Sequence, residues 1–242
     1  MAETVRKIPW MRIGAEAVAI VSSILLAFSI DAWSERRSDR ALEADYLERI
    51  DHELRDARIV LDSILLNVDG SLLFAPDLAE FFDGRMAAGD HERLVVAIYK
   101  FGLDPLDLGF DGSTYDDLVS TGRLGLISDP EVRQAIQRAY AELQRLAPIG
   151  APYRDEYMAA LRALLPSDMR RSIRDACPAY RIYSDCPGLH LDDETVRSIV
   201  AQIDKREALL AFRMREQGLG TVRGIGRSIL VVLDRTLERL EQ

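Results

Sequence analysis

The sequence predicts an all-α protein: one N-terminal transmembrane helix continuous with a long helix, then a multi-helix bundle. Three observations carry that expectation. An uncharged apolar run, Ala17 to Ile30, stands near the N-terminus between Trp10 and Trp33. After Trp33, no Gly or Pro interrupts the chain before Gly70. Later segments repeat apolar residues at steps of three and four, with no period-two pattern of useful length. The chain divides into a short tail over 1–11, a transmembrane helix over 12–33 and a soluble helical domain over 34–242. With 242 residues, 48% of them hydrophobic, the domain has material for a sizeable core.

The run from Ala17 to Ile30 makes ~21 Å of helix, short of the ~30 Å hydrocarbon layer. Its flanks make up the difference, because Trp10 and Trp33 lie ~35 Å apart on a helix, placing an indole in each interface. Glu16, one turn after Arg12, can pair with that arginine or reach headgroups. Two other readings compete. A cleaved signal fits the basic start (Arg6, Lys7, Arg12) and the small-x-small site Ala27-Phe28-Ser29, and a core helix fits the length. Apolar residues on every side of the run oppose a core helix, and Trp33 with the helix-forming sequence after it favours a retained anchor. Ala15, Ala19, Ser23 and Ala27 recur every fourth residue, with Glu16 beside them. Such a stripe lets a second helix approach closely in lipid, although alanine is also simply common in such helices.

Beyond the anchor, Leu47, Ile50, Leu54, Ala57, Leu61, Ile64 and Val68 fall on one helical seam. That seam needs a partner: other helices of the domain, or a second copy in a parallel coiled coil. Shorter helices are expected over Ser71 to Phe82, ended by Asp83-Gly84, and over His91 to Phe101, ended by Gly102. Leu103 to Gly112 reads as a loop. Its Asp104, Asp107 and Asp111 lack the alternating ligand spacing and terminal Glu of an EF-hand. Ser113 or Thr114 starts a short helix, Arg123 to Ile127 forms a compact turn, and Ser128-Asp129-Pro130-Glu131 reads as a capping box opening the next helix. Helices over Pro152 to Leu165 and Ser167 to Ala176 follow. Asp192 or Asp193 caps one last long segment through Leu240, and Gly218, Gly220, Gly224 and Gly226 within it mark a kink, a break or a close crossing against the first long helix.

Charge bounds the partners. The chain carries 31 Lys and Arg against 40 Asp and Glu, and Arg36, Arg37, Arg40, Arg170 and Arg171 all lie among acids, which opposes nucleic acid as the main ligand. Basic residues before and after the apolar run nearly balance, so they do not orient it. The two cysteines bear on compartment instead. Cys177 and Cys186 stand in one short turn-rich stretch, where a disulfide would place the domain outside the cytoplasm; two unpaired buried thiols are the alternative, and zinc is disfavoured without CxxC spacing.

Catalytic patterns are scarce. His52 and His91 each sit in an Asp-His-Glu triplet, but adjacent helical residues point about 100° apart and do not readily share one ion. The sequence holds no HExxH, GxSxG, P-loop, dinucleotide fingerprint or S-x-x-K. The expectation is therefore a membrane-anchored helical domain, touching the bilayer through its first helix and without cofactor or resident metal, that binds a protein partner or second copy, or senses a ligand, outside the cytoplasm. The alternatives are a structural envelope protein self-associating through the anchor and a metal-dependent enzyme built on the two triplets.

Two segments, IGAEAVAIVSSILLAFSIDAWSERRSDRALEADYLERIDHEL and TYDDLVSTGRLGLISDPEVRQAIQRAY, together resemble a family of uncharacterised bacterial membrane proteins that carry a domain of unknown function. In that family a glycine and a glutamate open an apolar helix, which ends at a tryptophan and Glu-Arg. A Tyr-x-x-Leu-x-x-x-Gly-x-Leu turn then leads into another helix. The matching positions here are Gly14, Glu16, Asp31, Trp33, Glu35 and Arg36, then Tyr115, Leu118, Gly122, Leu124 and Ile127. The resemblance implies a retained single span with a helical domain, and it brings no activity, ligand or catalytic residue; the expected location is the cell (inner) membrane, with the domain outside the cytoplasm.

Overall fold

The computed structural model describes residues 10–103, 112–146, 151–177, 186 and 188–241, and every regular element among them is helical. The first helix, α1, runs unbroken from Trp10 to Leu72, 63 residues. It passes through Gly70 and stops because Pro76 cannot sit in a continued helix without its ring meeting the carbonyl of Leu72. The expected helix over Ser71 to Phe82 is thus divided. Ser71 and Leu72 belong to α1, a tight turn joins Leu73 to Gly70 and Phe74 to Ser71, and α2 spans Ala75–Phe82.

The seam of α1 is buried within the chain. Ile50, Leu54, Ala57, Leu61, Ile64 and Val68 are shielded from solvent, while Leu47, at its lower end, is half-buried. Burying the five large side chains of that set stabilises the fold by up to ~10 kcal/mol against an extended chain. Their principal partner is α9, Lys205–Leu240, which runs antiparallel to α1. Arg223 and Arg227 meet Asp69 at one end, Arg58 meets Asp234 further down, and Arg55 meets Glu241 at the other end. No free face of the seam is left for a parallel coiled coil.

The final segment is two helices, not one. Asp192 caps α8, Asp193–Gln202, by accepting from the Thr195 amide, and Ile203 then turns extended. Asp204 opens α9 by accepting from the amides of Arg206 and Glu207. The signal lay in Asp204-x-x-Glu207, which reads as an N-terminus as readily as the one at Asp192. The glycines do not break α9. A Cβ on Gly226 would stand 2.8 Å from Leu65 Cδ2, whereas one on Gly220 or Gly224 would meet nothing within 4 Å. Gly226 therefore serves the close crossing against α1.

Beside these two long helices lies α3, His91–Phe101, whose residues from Leu94 to Phe101 are all buried. A helix apolar on every side belongs inside. Around it pack α7, Ser167–Ala176, α8 and α2; Arg93 ties α3 to Asp77 and Glu80 of α2. Phe212 of α9 bridges the layers, with Phe82 and Phe101 at ring-centroid distances of 5.6 and 5.4 Å. The helix expected over Pro152 to Leu165 is shorter: α6 spans Ala151–Ala160, and a 3-10 turn over Arg162–Leu164 follows.

The capping box reading is corrected in one respect. Helix α5, Pro130–Leu146, is capped by Asp129, whose carboxylate accepts from the Glu131 and Val132 amides. Ser128 instead gives its amide and hydroxyl to Glu43 of α1. A local cap is replaced there by a tertiary contact. Helix α4, Ser113–Ser120, ends at Thr121, and Gly122 takes the left-handed conformation (φ 69°) that starts the turn over Arg123–Leu126.

The crossing at Gly226 gives a paired test. Gly226→Leu is expected to lower stability by ~1–3 kcal/mol through overpacking against Leu65. Gly224→Ala is expected to raise it by up to ~1 kcal/mol through helix propensity alone. Equilibrium urea unfolding of both variants checks the contrast.

Candidate functional site

Helix α1 is one rod with two surfaces. Between Val21 and Trp33 its large apolar side chains face outward: Leu26 is 63% exposed, Phe28 67% and Trp33 61%. Val21, Ile24, Leu25 and Ile30 are exposed as well. Beyond Tyr46 the same helix buries the apolar residues of its seam, while Ile59 and Leu66 on its other side stay exposed. This is the one helix among the described residues long and apolar enough to cross a membrane. Soluble monomers rarely leave so many large apolar residues uncovered in one stretch, and covering these seven would return ~10 kcal/mol.

Polar groups in this stretch are satisfied locally. The Ser29 hydroxyl donates to the Leu25 carbonyl at 2.7 Å, and Arg36 Nε donates to the Ala32 carbonyl at 3.0 Å. The Arg37 guanidinium sits over the Trp33 ring, 5.6 Å from its centroid. An indole with cations just beyond an apolar run is the pattern of a membrane–water boundary. Of the small-residue stripe, Ser23 and Ala27 are exposed on this surface, and Ala15, Glu16 and Ala19 lie on the same continuous helical backbone.

The exposed stretch joins the bundle through a clamp. Glu43 holds Ser128, and Tyr46 donates to Asp117 at 2.7 Å. Glu53 accepts from the Thr114 amide, the Ser113 hydroxyl and the Tyr140 hydroxyl. Tyr140 in turn stacks on Tyr115, with centroids 4.2 Å apart. Leu118 and Ile127 are buried beneath. The segment from Glu43 to Glu53 and the segment from Ser113 to Tyr140 therefore meet each other in space. Composition and periodicity did not reveal this network, because Glu43, Glu53, Ser128 and Asp117 look like ordinary surface residues of amphipathic helices and Tyr140 like part of an apolar stripe.

A second feature escaped the sequence reading altogether. Three cations gather at the C-terminal end of α3. Arg162 donates to the Gly102 carbonyl at 2.7 Å, Arg215 to the Leu103 carbonyl at 3.0 Å, and buried Lys100 to the carbonyl of Cys177. Helix C-termini present unsatisfied carbonyls and partial negative charge, so cations suit the place. Cys177 is buried and bonded to Cys186. The one visible clue was a lysine closing the apolar stretch Leu94-Val95-Val96-Ala97-Ile98-Tyr99.

The histidine triplets do not form a centre. His52 is exposed, its neighbour Asp51 pairs with Arg55, and Glu53 belongs to the clamp. Asp90 lies 3.9 Å from Arg93. No group of three or more His, Cys, Asp or Glu placed to hold a metal occurs among the described residues. Asp104, Asp107 and Asp111, and the cysteine stretch over 178–185, lie outside those residues.

In the comparisons with known proteins, no family model, curated protein or solved structure matches the chain.

Burial pushes the Lys100 ammonium down from its ordinary value of 10.5. The folded form then releases this proton at lower pH than the unfolded form, so the unfolded chain binds more protons between the two values. Stability from this group accordingly rises with pH across that window and levels off above 10.5. Lys100→Met is expected to remove that rise, seen as a shrinking advantage of the variant over the parent in urea unfolding from neutral to alkaline pH; parallel curves would contradict it.

Proposed function

We propose that the chain is a single-span protein of the cell (inner) membrane whose helical domain, held outside the cytoplasm, binds a partner or senses a ligand. One observation carries the reading: α1 continues without a break from an exposed apolar surface into the buried seam of the bundle. A rod clamped to the bundle at Glu43, Tyr46 and Glu53 makes any tilt or shift of the bundle a movement of the span, which is a physical precondition for signalling. The bond between Cys177 and Cys186 supports the extracytoplasmic side, since such bonds persist in oxidising compartments. The family resemblance of Gly14 to Arg36 supports retention of the span.

Alkaline carbonate extraction of membranes tests the tether. The chain is expected in the pellet, with an intact mass that includes Trp10. Release into the supernatant, or a mature start after Ser29, would overturn the reading. A C-terminal fusion to a reporter active only outside the cytoplasm is expected to be active, and an inactive fusion would reverse the orientation.

A further inference from the structure

Many arginines of this acidic chain are held by carboxylates. Arg49, Arg58, Arg93, Arg145, Arg213 and Arg223 each have one within 4.0 Å. Three that have none share one place. Arg138 of α5 and Arg235 and Arg239 of α9 converge on a cleft of about 600 Å³ between the two helices, and no carboxylate lines it. None of the three has a hydrogen-bond or ion-pair partner among the described residues. Gln134, Gln137 and Thr236 complete the polar lining. The Thr236 hydroxyl already donates to the Val232 carbonyl, so the free donors of the cleft are the guanidiniums and the two amides.

The opposite side of α9 shows what compensation looks like. There a cleft of about 430 Å³ contains Arg55 and Arg58 together with Asp234, Glu238 and Glu241, and both arginines are ion-paired. Over its last turns helix α9 thus sorts its charges, with acids toward α1 and arginines toward α5. The negative end of the α9 dipole gives a local reason for Arg235 and Arg239 in its last turns. It gives none for Arg138, which arrives from another helix and adds to the repulsion. Like charges at i and i+4, as Arg235 and Arg239 are, already disfavour each other. An anion in the cleft would offset the repulsion among the three guanidiniums.

We propose that this cleft binds a small soluble oxyanion bearing at least two negative charges, phosphate or polycarboxylate, in the forks of Arg138, Arg235 and Arg239. Planar guanidiniums match the paired oxygens of both groups. The volume falls in the range of roughly 300–1,000 Å³ common to small-molecule sites. A lipid headgroup is the other source of such chemistry, and distance decides against it. Glu241, at the end of α9, meets Arg55, which lies ~33 Å along α1 from Trp33, about four screening lengths. Only this exclusion of headgroups rests on the tether reading; the oxyanion site stands on the cleft itself.

The test is calorimetry on the full chain in nonionic detergent, with pyrophosphate and citrate as probes at about 0.15 M salt. Saturable binding of at least one probe is expected. In Arg138→Gln/Arg235→Gln it is expected to weaken by about tenfold or more, with unliganded thermal stability kept or raised. Arg171→Gln, a charge removed from α7, is expected to leave binding unchanged. Absence of saturable binding by either probe, or equal binding by the double variant, would overturn the proposal. So would binding confined to vesicles of anionic lipid, with no response to pyrophosphate or citrate. A chain found to lack a membrane span would still be expected to bind the probes, so the two readings fail separately.

Discussion

The close crossing of α1 and α9 governs the arrangement of everything else. Leu65 of α1 lies where a side chain on Gly226 would have to stand, so the two helices approach along a line that one missing Cβ makes available. Because they run antiparallel, the end of α9 returns to the middle of α1, at Arg55. All the elements from α2 to α8 are then gathered beside one pair of rods. The ion pairs along that pair, at Asp69, Arg58 and Arg55, are exposed and add little energy, but they record one register. Burial of the seam supplies the driving force.

Once α3 is enclosed, its polar ends must be satisfied without water. The carbonyls of Gly102 and Leu103 take donors from Arg162 and Arg215, which come from opposite parts of the chain. Lys100, whose neighbours on the helix are all buried, reaches the carbonyl of Cys177. The cysteine bond holds that carbonyl's residue to Cys186 and to the approach of α8. Aromatic packing through Phe82, Phe101, Tyr157 and Phe212 fills the space between. Cations and a cross-link thus serve the end of one apolar helix.

The two faces of α9 and the two surfaces of α1 express the same economy of design. Each helix is a single local object whose opposite sides or ends meet different surroundings. For α1 the division runs along its length, from outward apolar side chains to an inward seam, and no proline or turn separates them. For the last turns of α9 it runs around the circumference, acids on one side and arginines on the other. A proposed tether and a proposed ligand site therefore sit on the two elements that also form the core.

Much of the fold was legible in the residues. The seam from Ile50 to Val68, the limits of α3 and α7, the turn after Gly122 and the cap at Asp192 follow from spacing and from side chains that reach amides two or three residues away. Those signals are local, so the sequence by itself determined where helices form and which stripe of each is apolar. It did not determine who meets whom. Glu43 takes Ser128 away from its expected cap, Glu53 finds Tyr140, and Gly226 is a crossing rather than a break, because each outcome depends on a partner many residues distant. The gathering of Arg138 with Arg235 and Arg239 is of the same kind: on either helix alone they are solvated charges, and only the packing of α5 on α9 makes them one cationic cleft.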